Sequence, residues 1–387
     1  MTIVRHLFAI CGLLSLGACT KHLVASGGID DLGPTPDLAY IMGSINFDPG
    51  TLVACASAKE ETLRVPLYML VVLDGSGSMA DDNKWTAVTA ALDSIFDSAQ
   101  TLADPGFAVG LTIFADNNDA TIGPTTAGPY NMFDVPLAFV DSVQHDNLRM
   151  RLDSTGPNLG TPTYEVLSGQ YPLLEAYVPK SPIMTGGKTV MVFMTDGVPD
   201  PDMPAGVNEQ PWSLMLTQQE EARTPPIGTF VVGIGNLTPL DPAEYDPVFV
   251  GHMAKNGGFA QSMCNPDEIM DESKMCHFQI TPGGKTVSQL TMEFENALDA
   301  IRTQALPCEY TLTIMPGVVL DPNSVNVLFT PSSGMPVGIS EDPTNGWTYD
   351  NSANPMKVIL HGSSCDTVRA DLKGKIEIVL GCKTLIP

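Results

Sequence analysis

Seven consecutive apolar residues, Leu67-Tyr68-Met69-Leu70-Val71-Val72-Leu73, run directly into an aspartate at position 74. A strand that is apolar at every position has no face for solvent. Both of its surfaces must be covered, and a parallel sheet flanked by helices is the arrangement that covers them. The residues that follow agree with this. Trp85, Val88, Leu92, Ile95, Phe96 and Ala99 fall at helical spacing and form one apolar stripe. Further strand candidates occupy 107–114, 135–140, 189–195 and 229–234, and Tyr164, Leu167, Tyr171 and Leu174 mark another helix. Strands alternating with helices over this length predict an α/β fold built on a doubly wound, mostly parallel sheet.

Past Cys308 the apolar period drops to two, in Tyr310/Leu312/Ile314, Val325/Val327/Phe329 and Ile376/Ile378/Leu380. Turn clusters such as Asp321-Pro322-Asn323 and Pro331-Ser332-Ser333-Gly334 separate these segments, so a small β-rich C-terminal domain is expected, with at most one short helix around 366–372. At the other end, Arg5 precedes an apolar run over 7–16, too short to span a bilayer and of the length of a signal-peptide core. Leu16-Gly17-Ala18-Cys19 is similar to a bacterial lipobox, which implies cleavage after residue 18 and a diacylglyceryl group on Cys19. The rival reading is ordinary cleavage with Cys19 a bystander. Residues 19–50 are small and turn-rich and read as a lipidated tether. The expected organisation is 1–18 signal peptide, 19–50 tether, 51–306 α/β domain with its lead-in, and 307–387 β-rich domain. The lipid would be the only membrane anchor.

Charge excludes one class of partner. With 19 Lys and Arg against 44 Asp and Glu, a net charge of −25, the chain repels nucleic acid and anionic lipid headgroups. After loss of Cys11 and lipidation of Cys19, six cysteines remain: Cys55, Cys264, Cys276, Cys308, Cys365 and Cys382. An even number in an oxidising compartment suggests up to three disulfides, whose pairing residue types alone leave open. No CxxC occurs, and the one neighbouring pair of zinc-type ligands is Cys276-His277, so a zinc site is not expected.

In doubly wound sheets ligands bind at the carboxyl ends of the strands. The first strand ends in Asp74-Gly75-Ser76-Gly77-Ser78-Met79, a DxSxS pattern. Gly160-Thr161-Pro162-Thr163 opens a helix, and Val190-Met191-Val192-Phe193-Met194-Thr195-Asp196-Gly197 ends another strand in an acid. Together the three segments resemble the von Willebrand factor A (VWA) domain family and its metal-ion-dependent adhesion site (MIDAS). The resemblance implies a Mg2+ ion, or Mn2+ or Ca2+ in its place, held by Asp74, Ser76, Ser78, Thr161 and Asp196. The residue types suit a hard cation that wants six oxygens. Three hydroxyls supply neutral oxygens, and two carboxylates supply charge directly or through water. So few anionic ligands leave the ion electron-poor, with a position open to a carboxylate from a partner protein or surface ligand. The resemblance also implies that contacts at Thr161 and Asp196 exchange between direct and water-mediated when affinity switches.

Other chemistries fit these residues less well. A haloacid-type phosphatase needs an acid where Ser76 stands, and a serine-hydrolase elbow framed on Gly75 puts Gly77 at the nucleophile. No catalytic residue is therefore expected. Asp81, Asp82, Asp116, Asp119, Asp200 and Asp202 could hold a second ion or form an acidic rim. The segment Phe249-Val250-Gly251-His252-Met253-Ala254-Lys255-Asn256-Gly257-Gly258 resembles the family's late helix. Cys55, Cys308-Glu309-Tyr310, Gly346-Trp347-Thr348-Tyr349-Asp350 and Gly381-Cys382-Lys383 resemble bacterial VWA lipoproteins of the type abundant in myxobacteria, some of which act in surface adhesion and gliding motility. In the VWA fold that the resemblance implies, the first strand begins and the last helix ends on the face opposite the metal, so a Cys55–Cys308 bond would clamp the domain's ends, Cys264–Cys276 would close a local loop and Cys365–Cys382 would staple the β domain. The expectation is a non-enzymatic, lipid-anchored envelope protein, placed in the outer membrane and facing periplasm or surface, that adheres through its metal. The alternative is a scaffold of a secretion or motility assembly with a structural metal, and a hydrolase ranks third.

Overall fold

The computed structural model describes residues 58–386, apart from 63, 117–129, 159, 200–207, 239, 242–243, 313–319 and 372. The signal peptide, Cys19, the tether, Cys55, Asp119, Asp200 and Asp202 lie outside the described residues. In chain order the first part contains β1 (Ala58–Glu61), β2 (Leu67–Asp74), a 3-10 helix (Gly77–Asn83), α1 (Lys84–Leu102), β3 (Phe107–Phe114), β4 (Val135–Phe139) and α2 (Ser142–Asp153). It continues through α3 (Thr163–Glu175), β5 (Lys188–Thr195), α4 (Gln210–Glu221), β6 (Ile227–Ile234), α5 (Pro247–Asn256), β7 (Phe278–Ile280) and α6 (Val287–Ala305). Then come β8 (Glu309–Thr311), β9 (Val325–Thr330), β10 (Val337–Ile339), β11 (Trp347–Tyr349), β12 (Lys357–Leu360), α7 (Gly362–Ala370) and β13 (Lys375–Leu380).

The central sheet has six strands in the order β4-β3-β2-β5-β6-β7, all parallel except β4, which runs antiparallel to β3. The expected doubly wound, mostly parallel α/β fold is present. All eight residues of β2 are buried, and strand alternation divides its side chains between two cores. Leu67, Met69, Val71 and Leu73 pack with Val88, Leu92 and Phe96 of α1 and Leu290, Phe294 and Ile301 of α6. Tyr68, Leu70 and Val72 pack on the opposite face with Leu167 and Tyr171 of α3 and Phe249, Val250 and Met253 of α5. Among the described residues no helix is long and apolar enough to cross a membrane.

The C-terminal part forms two antiparallel sheets, ordered β1-β13-β9-β10 and β11-β12-β8. Trp347 is buried between them and donates its indole N–H to the Ile339 carbonyl at 3.0 Å. β1 precedes the α/β domain in the chain, yet it pairs with β13, so the lead-in is built into the C-terminal sheet. The junction is also bridged by the Glu309 carboxylate, 2.9 Å from Lys188 and 3.0 Å from Lys357, and by Arg369, whose Nε donates to the Leu306 carbonyl at 2.6 Å.

Cys264 and Cys276 are bonded as expected, with Cα atoms 4.9 Å apart. The other two expected pairings are corrected: Cys308 is bonded to Cys365, Cα to Cα 5.6 Å, which excludes both Cys55–Cys308 and Cys365–Cys382. The cause is local topology. The Leu360 N–H donates to the Cys308 carbonyl at 2.8 Å, and α7 folds back from the end of β12, bringing Cys365 over the start of β8. Cys382 is itself disulfide-bonded.

A non-reducing peptide map is expected to join the Cys308 peptide to that of Cys365, and recovery of a Cys55–Cys308 peptide would overturn the assignment. Replacing both residues with Ser should cost about 2–4 kcal/mol in a urea melt. A second expectation concerns acid. His277 is buried, its Nε2 3.0 Å from the Tyr245 hydroxyl and 2.8 Å from Gln279 Oε1, and burial pushes its pKa down from 6.5 to about 4. Between those values the unfolded chain takes up a proton that the folded protein refuses, so this contribution is present above pH 6.5 and is lost as pH falls toward 4. The full effect is about 3 kcal/mol. His277→Gln should therefore show a smaller fall in urea midpoint between pH 7 and pH 5 than the wild type.

Candidate metal centre

β2 and β5 are parallel neighbours with Leu73 beside Met194, so the chain leaves the sheet at two adjacent points, carrying Asp74 and Asp196. Both carboxylates are buried. The DxSxS segment folds back on its own first residue: the Ser76 N–H donates to Asp74 Oδ1 at 2.8 Å, and the fully buried Met79 pins the loop into the core. The loop passes so close to the end of β3 that a Cβ on Gly75 would lie 2.8 Å from that of Asp116. Only glycine fits there.

Hydroxyl and carboxylate oxygens converge at this corner. Ser78 Oγ donates to Asp196 Oδ1 at 2.9 Å, Ser76 Oγ to the same oxygen at 3.3 Å, and the two hydroxyls are 3.1 Å apart. Thr161 is buried in the turn before α3 and faces Gly197, whose Cβ, had it one, would meet the Thr161 hydroxyl oxygen at 2.7 Å. The five residues singled out by sequence therefore come from three segments and meet at one corner of the sheet.

Four further residues act here that the sequence pattern did not mark. Thr195 donates its hydroxyl to Asp74 Oδ2 at 2.6 Å. Lys84 places its ammonium 2.6 Å from Asp196 Oδ2 and donates to the Ser78 carbonyl at 3.1 Å. Arg151 pairs with Asp116 and Asp134, each at 2.7 Å, and Thr155 also donates to Asp116, so this acid at the end of β3 is held in an ion-pair network. Asp81 and Asp82 are exposed on the 3-10 helix, and Asp82 accepts a bond from Asn236 at 3.1 Å. Thr195 occupies an ordinary strand position and Lys84 an ordinary helix start, so only the fold reveals their partners.

Burial first, and the Asp196 charge second, push the Asp74 carboxyl up from 3.8 to about 7, against the lowering effect of its Thr195 and Ser76 hydrogen bonds. Two buried carboxylates in this relation, beside three hydroxyls, fit a hard divalent cation, because positive charge there relieves both burial and repulsion. Among the described residues no group of three or more His, Cys, Asp and Glu side chains could hold a metal. A site here would depend on its Ser and Thr oxygens.

No protein-family model and no curated protein matches the chain. Solved structures similar to it include the pilus adhesin SpaC from Lactobacillus rhamnosus GG in its open conformation, at 15% identity and a TM-score of 0.42, over 83% of this chain and 39% of that one. The vWF domain of the type V pili tip protein Mfa5 from Porphyromonas gingivalis is similar at 11% identity and a TM-score of 0.40, over 63% of this chain and 97% of that one. Manganese-loaded Plasmodium vivax TRAP protein is similar at 16% identity and a TM-score of 0.37, over 62% of this chain and 76% of that one. The chain thus spans well under two thirds of the pilus adhesin's length.

The two acids should respond oppositely to neutralisation without metal. Asp74→Asn removes a charge that burial disfavours, and is expected to leave the melting temperature in chelator at pH 8 unchanged or higher. Asp196→Asn strands the Lys84 ammonium and should lower stability by about 3–5 kcal/mol. Equal destabilisation by both variants would contradict this account of the corner's electrostatics.

Proposed function

We propose that this chain is a VWA-type binding module of the bacterial envelope, which adheres to a partner protein or surface ligand through a divalent cation held by Asp74, Ser76, Ser78, Thr161 and Asp196. The observation that carries the reading is the convergence of Ser76 Oγ, Ser78 Oγ and Asp196 Oδ1 within 3.3 Å of one another, beside buried Asp74, from segments about 120 residues apart in the chain. Mg2+ is the proposed ion, with Mn2+ or Ca2+ able to replace it. When bound it supplies a Lewis-acidic position for an acidic oxygen of the partner. The protein's own residues prepare that position. Thr195 and the Ser76 N–H orient Asp74, Ser76 and Ser78 hold Asp196 Oδ1, and Gly197 leaves room for the Thr161 hydroxyl. Attachment through a lipid on Cys19, an outer-membrane location and a non-enzymatic role belong to the same proposal. They rest on residues 5–19 and on the DxSxS pattern.

The test uses Mn2+ as probe. Wild-type protein should bind one ion per chain at this centre, read by the loss of the free-ion EPR signal, and Asp74→Ala and Ser76→Ala should each weaken binding at least about tenfold while keeping the wild-type circular dichroism. The metal-dependent fraction of adhesion to envelope material should vanish in chelator and in Asp74→Ala. Undiminished Mn2+ binding by Asp74→Ala would sink the site assignment. Adhesion that survives chelation would favour an assembly scaffold.

A further inference from the structure

Lys84 is the first residue of α1, and its side chain reaches back across the loop into the candidate centre. Its ammonium lies 2.6 Å from Asp196 Oδ2 and 3.1 Å from the Ser78 carbonyl, with the lysine side chain 11% exposed and that of Asp196 0%. Asp196 is thereby fully engaged, Oδ1 by the two serine hydroxyls and Oδ2 by Lys84. The position runs against two local preferences. The first turn of a helix is the positive end of its dipole, where a cation is disfavoured. A cation beside a divalent site also repels the ion. The approach to Lys84 is constrained as well, since Asp82 and Asn83 immediately before it both adopt the left-handed conformation, at φ 51° and 62°. A lysine held in so unfavourable a place, by a shielded ion pair with one of the five proposed ligands, acts on that ligand's charge.

We propose that Lys84 is a tethered monocation that competes with the divalent ion for Asp196, so that the centre loads by exchange of one positive charge for another. The proposal rests on the metal reading above. No covalent bond changes. By linkage, the lysine weakens the ion's affinity by the same factor as the ion weakens the Lys84–Asp196 pair. Because the same ammonium holds the Ser78 carbonyl and begins α1, loading also bears on the loop between them, coupling ion occupancy to the conformation of the segment that presents Ser78.

Mn2+ titrations of full-length wild type, Lys84→Met and Lys84→Arg, with melts in chelator and in excess Mn2+, test this. Removing a unit charge this close to a divalent ion should tighten Mn2+ affinity by at least about tenfold in Lys84→Met, while Lys84→Arg stays near wild type. Lys84→Met should also melt lower than wild type in chelator, with the gap closing in saturating Mn2+. In wild-type protein, acetic anhydride labelling of Lys84, read by mass spectrometry, should rise when Mn2+ is added. This last measurement needs no folded variant. Wild type that binds Mn2+ but shows unchanged Lys84 labelling, or Lys84→Met that binds no tighter or more weakly, would overturn the exchange and leave Lys84 a positioning residue for Asp196. Wild type that binds no Mn2+ would instead overturn the metal reading itself.

Discussion

Two carboxylates are buried side by side at the ends of neighbouring strands, and much of the surrounding structure makes that tolerable. Isolated charges in a dry interior are costly, so each oxygen of Asp74 and Asp196 must find a donor. Asp74 takes a backbone N–H and the Thr195 hydroxyl, while Asp196 takes two hydroxyls and an ammonium. Asp74 has only neutral donors in this set. Burial and then the neighbouring Asp196 charge push its carboxyl up to about 7.

The acids cannot escape this contact because the frame beneath them is over-determined. β2 is buried on both faces, and alternate side chains lock it between α1 and α6 on one side and α3 and α5 on the other. A slip of one residue would exchange the two sets of side chains, placing Leu70 where Met69 or Val71 packs. Register along β2 and β5 therefore fixes where Asp74 and Asp196 emerge. Met79 does the same for the loop, and β1 together with the Lys188–Glu309 ion pair ties the C-terminal sheets to the opposite end of the domain.

The double burial that fixes the frame is also what made it readable from residues alone. Residues 67–73, 107–114, 189–195 and 229–234 match β2, β3, β5 and β6 to within two residues at either end, since a strand covered on both sides leaves a continuous apolar run. Where burial is thinner the signal fades. α2 buries Gln144 and His145 beside Leu148 and Leu152, which is no apolar stripe, and β7 is three residues long. The local Cys264–Cys276 bond is as expected, whereas the partner of Cys308 depends on how α7 turns back on β12, which spacing does not encode. At the centre, the five oxygen-bearing residues were marked by the resemblance of their three segments to the VWA family. Lys84 was not, because a lysine opening an amphipathic helix is ordinary and its aim toward Asp196 is a property of the folded loop.

The composition of the corner bears on what it can hold. Among the described residues most acids are at least partly exposed, whereas the proposed ligand set has two buried ones, one of them already shared with a lysine. A centre built from many carboxylates would neutralise a divalent ion and keep it as a structural bolt. One built from three hydroxyls, a buried carboxylate disfavoured in its charged form and a second held by an ammonium leaves positive charge to spare. That surplus is best satisfied by an anionic oxygen from outside the chain. On the proposed metal reading, the serine and threonine content of the corner, more than its acids, is what makes it a ligand-binding centre and not a purely structural one.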